Sequence, residues 1–585
     1  MLRYGCLGQP AGPKKCLLRC GDGAHLTLYF HATFNQGFSM NRRDLMRLAL
    51  IGAAAASGAQ PVAAGAPVPR PPRRTGTAGA VASGETIIDV SVADLQAAMQ
   101  AGRTTSQALV KAYLARIAAL DRAGPRINSV IELNPDALAI SAALDAERKG
   151  GAVRGPLHGI PVLLKDNIAT ADRMQTSAGS FALVGAQAPR DAFIVSRLRA
   201  AGAVILGKTN LSEWANLRSS RSTSGWSARG GLTRNPYALD RNTSGSSSGS
   251  AAAIAASLAA VAVGTETDGS ITSPASICGL VGIKPTLGLL SRDGIVPIAH
   301  SQDTAGPMTR SVADAVALLG AMTGIDARDG TTAFSSGRST DFSRALEIDG
   351  LRGARIGVVR NAMGANLRIQ PIVDAAIATM KQRGAILVDV ELPNMSKYGD
   401  SELEVLLYEF KTDLNKYLAE FARGAPVRTL AQLIAFNDNN RAREMPYFDQ
   451  EMLIRAEAKG GLDSREYLDA LANNERYSRA EGIDQVLREH QLDALFAPTG
   501  GPAWITDFVN ADHSGDSFST PAAVAGYPHI TVPAGFLAGL PIGVSFVGTA
   551  WSEATLIKLA YGFEQATRHR RAPTYAAHAN VGNTF

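Results

Sequence analysis

Cysteine is scarce in this chain, and three of its four cysteines precede Met40. Only Cys278 remains in the body of the chain. A single cysteine cannot close an internal disulfide, which excludes a disulfide-stabilised scaffold. Because Cys278 stands in an apolar run, we expect it to be a buried and unreactive thiol.

An excess of charge is also absent from the body of the chain. The formal net charge is +6 and the pI is near 9.1, but residues 1–80 alone hold ten Lys and Arg against two Asp. Removing these eight surplus positive charges leaves −2 for the residues that follow. A nearly neutral body lacks the basic surface that nucleic acid or an anionic membrane requires, so we expect neither as a partner.

The chain divides by composition into four parts. We interpret residues 1–39 as upstream translation, 40–64 as a signal peptide and 65–84 as a Pro/Gly/Ala-rich linker. Residues 85–580 show neither an internal repeat nor a second change in composition. We therefore expect them to form one large domain.

The predicted signal peptide lacks an apolar run long enough to span a membrane. Its run at 48–56 is far shorter than the ~20 residues that a spanning helix needs. Arg42 and Arg43 precede this run, as in signals of the twin-arginine route, which exports folded proteins. An ordinary Sec signal is the alternative. We expect cleavage after Ala59 or Ala64 and a periplasmic or secreted protein.

Helical and strand-like patterns alternate beyond residue 85. Ser91 is expected to be the N-cap of a helix, and the apolar run in "GIPVLLKDNI" predicts a buried strand that ends at Lys165. Further on, "DAFIVSRLRAAGAVILGKTN" predicts a helix followed by a strand, and "HITVPAGF" predicts a late strand. This alternation favours an α/β fold with helices covering a central sheet.

A serine-rich segment, Thr243–Ile271, begins with five serines in eight residues, "TSGSSSGS". A flexible linker is excluded because Ser250 leads directly into an alanine-rich helical stretch. A phosphate-binding loop would need a Gly-Lys-Ser/Thr ending, which this segment lacks. Nucleophilic catalysis is the remaining interpretation, and it requires a base that accepts a proton from serine.

Neither a histidine nor a metal is singled out as the group that activates a serine. None of the seven histidines after the leader has a spacing that marks it as a base: His158, His300, His490, His513, His529, His569 and His578. No cluster has the spacing of zinc ligands. Lys165 is the candidate base, because an amine at the end of an apolar strand is partly desolvated, which lowers its pKa.

Four motifs occur in the order found in one enzyme family. They are "GIPVLLKDN", "GSSSGSAAA", "TETDGSITSPAS" followed by "GLVGIKPT", and "SQDTAGPMTRSVADA". With these motifs the chain resembles the amidase signature family from about residue 88 to 573. The resemblance implies one large domain with a mixed central β-sheet covered by helices, and hydrolysis of amides without a metal or another cofactor.

The resemblance also assigns residues to a Ser-Ser-Lys site. In the family, a serine of the first serine motif lies 24 residues before the nucleophile, which selects Ser246 and Ser270. Ser270 would attack the amide carbonyl, and Ser246, after a cis peptide bond, would pass the proton to neutral Lys165. The oxyanion would be held by backbone N–H groups of four residues: Thr267, Asp268, Gly269 and Ser270.

Asp268 departs from the family pattern, because many members have glycine at this position. A carboxylate beside an oxyanion is unfavourable unless it points away or is paired. The remaining serines of the segment are expected to hydrogen-bond to nearby backbone as turn and cap residues: Ser244, Ser247, Ser248 and Ser250.

Two features of the sequence bear on the substrate. Thr272 stands where many members have arginine, so one anchor for a substrate carboxylate is missing. The stretch "SEWANLRSSRSTSGWSARGGLTRNPYALDRNTSGSSSGS" is most similar to the peptide amidase branch, which removes ammonia from C-terminal carboxamides. We therefore expect an exported amidase that acts on peptide or small-molecule amides. The alternatives are a broad-specificity aliphatic or aryl amidase, a non-catalytic binding protein and an amidotransferase A-type subunit, the last of which the export signal argues against.

Overall fold

The computed structural model describes residues 15–19, 25–29, 87–515 and 517–580. The predicted signal peptide and linker lie outside these residues. In the first part of the chain, strands β1 (Lys15–Arg19) and β2 (His25–Tyr29) pair antiparallel. The interpretation of this part as upstream translation stays a prediction.

A sheet of eleven strands runs through the main body of the chain. The strands that follow the first pair are β3 (Val130–Leu133), β4 (Pro161–Lys165), β5 (Val204–Thr209), β6 (Trp226–Ser227), β7 (Gly231–Leu232), β8 (Val261–Glu266), β9 (Val281–Lys284), β10 (Thr304–Thr309), β11 (Arg355–Val359), β12 (Ile386–Val390), β13 (Ala494–Pro498), β14 (His529–Leu537) and β15 (Leu540–Val547). Their order in the large sheet is β12-β11-β13-β15-β14-β9-β10-β8-β4-β5-β3, while β6 and β7 form a separate short pair. The large sheet is mixed, since β4 is parallel to β5 and β8 whereas β10 is antiparallel to β8.

Helices cover this sheet. They are α1 (Val92–Gln100), α2 (Ser106–Arg116), α3 (Ala137–Lys149), α4 (Phe193–Ala200), α5 (Ser248–Ala255), α6 (Thr272–Ile277), α7 (Val312–Met322), α8 (Gln370–Gln382), α9 (Gly399–Phe421), α10 (Leu430–Asn439), α11 (Arg441–Glu444), α12 (Glu451–Glu457), α13 (Arg465–Glu475), α14 (Asp484–Glu489), α15 (Thr520–Ala525) and α16 (Glu553–Thr567). The described residues from 87 onwards belong to one compact unit, which confirms the predicted single α/β domain. Within the described ranges, no helix has both the length and the apolar character needed to cross a bilayer.

Local sequence explains several of the helices and strands. Ser91 caps α1 as predicted, because its side chain accepts the N–H of Asp94 at 3.1 Å. The prediction missed β10, since Gly306 and Pro307 are unusual in a strand that has neighbours on both sides. Cys278 is buried and unpaired, and burial raises the pKa of its thiol.

Helix α5 lies unusually close to the sheet. All eight of its residues are buried, and they are Ser, Gly and Ala apart from one Ile. A Cβ at Gly249 would lie 2.3 Å from Ser129 O and 2.5 Å from Asn210 O, so only glycine allows this approach. The serine-rich segment is therefore fixed against the backbone of neighbouring strands rather than flexible.

The sheet brings three chain segments to one edge. Because β4 and β8 are parallel neighbours, their last residues, Lys165 and Glu266, end on the same side. Strand β10 is antiparallel to β8 and begins at Thr304, which pairs with Glu266. The residues just before β10 therefore also lie at this edge, beside the end of β8.

Candidate active site

Lys165 lies at the end of β4 and is fully buried. Its Nζ is 2.7 Å from Ser246 Oγ, 2.8 Å from Thr265 Oγ1 and 3.0 Å from Thr265 O. Burial lowers the pKa of the lysine to about 7, against the opposite effect of the Asp303 and Glu266 carboxylates. Near neutral pH, a large fraction of this amine is therefore uncharged.

Ser246 is fully buried and stands just before α5. The Gly245–Ser246 peptide bond is cis, as the resemblance implies. The carbonyl of Ser246 accepts a hydrogen bond from the Ser212 N–H at 3.1 Å. Of the two serines selected from the sequence, Ser246 is the one whose hydroxyl contacts the lysine.

Ser270 lies on the loop between β8 and α6 with 8 % of its surface exposed. Its carbonyl accepts the N–H of Ser247 at 3.1 Å, which joins the loop to the beginning of α5. The structure thus brings all three predicted catalytic residues to one site. The side chains of Lys165 and Ser246 are hydrogen-bonded to each other. Ser270 is joined to the neighbouring Ser247 by a backbone hydrogen bond.

The loop at 267–270, which carries the four predicted oxyanion residues, is held at both ends. The Thr267 hydroxyl donates to Asp303 Oδ1 at 2.5 Å, and Gln302 Nε2 donates to Thr267 O at 3.3 Å. At the other end, Gly269 has a φ of 74°, a left-handed conformation that favours glycine. The Gly269 carbonyl accepts from Ser273 N at 2.8 Å, so the loop turns directly into α6.

One oxygen of the carboxylate of Asp268, the residue that departs from the family pattern, has a hydrogen-bond donor. Its Oδ2 accepts a hydrogen bond from Thr520 Oγ1 at 2.7 Å. Burial raises the pKa of Asp268, and burial together with the Asp268 charge raises that of Glu402 well above its usual range. Glu402 also accepts from Gln302 Nε2 at 2.9 Å. One Asp268 oxygen therefore has a hydroxyl donor, and the Asp268 charge disfavours ionisation of the neighbouring Glu402.

Two of these supporting positions could have been found from the sequence, and two could not. Gln302 and Asp303 fall inside the motif "SQDTAGPMTRSVADA", but the motif alone assigns them no role. Polar residues immediately before a buried strand are the signal that would have indicated them. Glu402 in α9 and Thr520 at the start of α15 carry no local signal, because only the fold brings them to Asp268.

A cavity of about 240 Å³ opens beside this loop. It is bordered by Ser244 and Gly245 on one side and by Asp268 and Gly269 on the other. A second cavity, of about 360 Å³, contacts Thr265 and Thr267. The loop that carries Ser270 is thus accessible from a pocket of the size of a small amide or a peptide end.

His300 and His529 bond to side chains other than those of Lys165, Ser246 and Ser270. His529 is buried, and burial lowers its pKa to about 3. His300 lies 2.8 Å from Asp413 and 3.4 Å from Glu409, the one group of His and acidic residues in the described chain close enough to hold a metal ion. Burial lowers the pKa of His300, but the two carboxylates outweigh this effect and raise it. The two carboxylates therefore favour the protonated form of His300, and the three side chains have the contacts of an ion pair.

Comparison with known proteins places the chain in a family. The model of the Amidase family matches residues 108–557. A probable amidase from Arabidopsis thaliana is 42% identical over 502 residues, which cover 84% of this chain and 92% of that protein. Native peptide amidase from Stenotrophomonas maltophilia is 54% identical, with a TM-score of 0.81 over 83% of this chain and 99% of that one. The A-type subunit of the glutamyl-tRNA(Gln) amidotransferase from Symbiobacterium thermophilum is 35% identical over 83% of this chain and 98% of that one.

The chain belongs to the amidase signature family, as its motifs predict. It is an amidase, a hydrolase of amide bonds, and its similarity to peptide amidase is confirmed. The predicted mixed sheet covered by helices is confirmed as well.

Proposed function

We propose that this amidase hydrolyses the C-terminal carboxamides of peptides to the free acid and ammonia, through an acyl-enzyme on Ser270. The observation that carries this proposal is a fully buried lysine whose Nζ lies 2.7 Å from Ser246 Oγ. A buried amine can be neutral near pH 7, and a neutral amine can accept a proton.

The contacts of Lys165 fit a neutral amine. Such an amine has two hydrogens and one lone pair. It can donate its hydrogens to Thr265 O and Thr265 Oγ1 and accept the hydroxyl hydrogen of Ser246 with the lone pair. Ser246 is then free to accept a proton from Ser270 as its own proton moves to the lysine.

The reaction follows from this arrangement. Ser270 Oγ attacks the carboxamide carbon, and its proton moves through Ser246 to Lys165. The carbonyl oxygen becomes an oxyanion that accepts hydrogen bonds from the N–H groups of the loop at 267–270. Return of the proton to the amide nitrogen breaks the C–N bond and releases ammonia. Water then cleaves the Ser270 ester by the same proton path, which restores the serine and frees the acid.

The proposal distinguishes a peptide carboxamide from an internal peptide bond by the leaving group. The leaving side of a carboxamide needs room only for –NH₂, so a closed pocket there would exclude a following residue. The 54% identity to a peptide amidase supports this choice over a broad-specificity amidase. An amidotransferase component is the second candidate, because A-type subunits of such enzymes match nearly the whole domain at about 35% identity.

A substrate panel tests the proposal. An N-acetylated dipeptide amide is expected to give a kcat/KM at least tenfold above that of a small aliphatic amide, because its acyl side fills the cavity. An N-acetylated tripeptide with a free carboxylate should release no amine. Ammonia release and mass spectrometry measure both. Backbone cleavage of the tripeptide, or faster hydrolysis of the aliphatic amide, would contradict a peptide amidase.

We also propose that the chain is exported in folded form by the twin-arginine route. The support is the pair Arg42 and Arg43 before a short apolar run. Replacing both arginines with lysine is expected to leave the amidase activity in the cytoplasm, because that route requires the arginine pair. Activity assays on cell fractions test this, and unchanged secretion of the double variant would indicate the Sec route.

A further inference from the structure

The 240 Å³ cavity beside the loop at 267–270 is polar except at one wall. Most of the described residues that line it are Ser, Thr, Gly, Asn or Asp. Among these described residues, the only large apolar side chains are Trp504 and Ile277. The two belong to one apolar cluster, in which Trp504 is partly buried. A ligand in the cavity therefore has a single place to put an apolar group.

The indole of Trp504 is held in a fixed position. Its Nε1 donates to Asp512 Oδ1 at 3.1 Å. The backbone N–H of Ser224 donates to both oxygens of the same carboxylate at 3.1 Å. In addition, the N–H of Asn242 donates to Trp504 O at 2.8 Å. The ring is thus connected through Asp512 to Ser224, while the backbone of Trp504 is attached to the segment that leads directly into the Ser244–Ser246 loop.

We propose that Trp504, oriented by Asp512, is a specificity-determining residue that receives an apolar side chain of the peptide on the acyl side of the carboxamide. The proposal rests on the proposed peptide amidase function and names the class of peptide that the site selects. The cavity reaches from Gly269, the neighbour of Ser270, to Trp504, so one short peptide end can touch both. An aromatic or aliphatic side chain would gain binding free energy when it leaves water and packs against the indole, whereas glycine has no side chain to bury.

The test compares two substitutions of similar volume at the same position. Trp504→Leu keeps an apolar wall but removes the donor to Asp512, and Trp504→Gln keeps an amide donor but removes the apolar wall. Substrates are the N-acetylated amides of Gly-Gly, Gly-Phe and Phe-Gly. The readout is the ratio of kcat/KM for the better phenylalanine substrate to that for Gly-Gly. Trp551→Ala is the matched control, because Trp551 is also half-buried but lines neither cavity.

The wild type is expected to give a ratio of about ten or more, in the range that a hydrophobic pocket supplies. The ratio should fall at least fivefold in Trp504→Gln, fall less in Trp504→Leu and stay unchanged in Trp551→Ala. If the leucine variant loses more of the ratio than the glutamine variant, Trp504 acts only as a structural attachment and the inference is wrong. A uniform loss on all three substrates overturns it as well.

These outcomes are separable from a failure of the proposed function. If the wild type hydrolyses simple amides but no peptide amide, the peptide amidase function itself is wrong. If the wild type hydrolyses peptide amides with a ratio near one, only the role of Trp504 is wrong. Thermal melting of each variant shows whether it folds, and the Leu/Gln comparison is made between variants of matched stability.

Discussion

Ser270→Ala is expected to lower amide turnover by about 10⁴-fold or more, because no acyl-enzyme can form without the hydroxyl. Ser246→Ala should also be severely impaired, since the path between Ser270 and Lys165 loses its middle member. Because the serines act as a unit, the double variant should be scarcely slower than Ser270→Ala alone. Steady-state ammonia release from a dipeptide amide measures all three.

A neighbouring serine provides the control for this prediction. Ser250 lies in the same segment and is buried, but its hydroxyl bonds to Val263 O and to Thr209 Oγ1, away from the lysine. Ser250→Ala is therefore expected to keep most of the activity. A fluorophosphonate probe should label the wild type and Ser250→Ala but not Ser270→Ala. Full turnover by Ser270→Ala would show that another residue is the nucleophile.

Lys165→Arg is expected to be nearly as inactive as Lys165→Ala, with a loss of about 10³-fold in either case. A guanidinium stays protonated at neutral pH and cannot accept the serine proton, although it is a conservative replacement in charge. The measurement is kcat for both variants, with circular dichroism to show that they fold. An arginine variant within a few fold of the wild type would exclude Lys165 as the base.

The pH profile of the wild type follows from the same lysine. Because the proposed base must be neutral and burial lowers the pKa of Lys165 to about 7, activity should be full above that pH. Below it, activity should fall about tenfold per pH unit as the amine becomes protonated.

Two variants test whether this fall of activity at low pH, the acid limb of the pH profile, is due to Lys165. Lys208 is also buried, with a pKa lowered to about 8 by burial, and Lys208→Met should leave the limb in place. Asp303, whose pKa burial raises to about 6, favours the charged form of Lys165. Asp303→Asn should therefore move the limb to lower pH, and a limb that disappears in this variant would belong to Asp303 instead.

The sequence by itself determined the family and the fold class, and it predicted the three residues that the structure brings to one site. The reason is that these features are local. Apolar periodicity over a few residues predicts the strand that ends at Lys165. The resemblance of the serine motifs to those of the family, in which 24 residues separate the two serines, selects Ser246 and Ser270 without knowledge of the fold. The cis bond before Ser246 is likewise what that resemblance implies.

Only the tertiary structure decided which groups surround that centre. The lysine meets Thr265 because β4 and β8 are parallel neighbours, although the two residues are 100 positions apart. Asp268 is paired with Thr520 across 252 positions, and no local pattern contains that contact. Trp504 reaches the cavity because of the backbone contacts of its loop with the segment before Ser244. Contacts of this kind depend on the order of the strands and on where the loops pack, and both are decided when the whole chain buries its core. Short-range periodicity does not predict them, because it reflects only neighbouring residues.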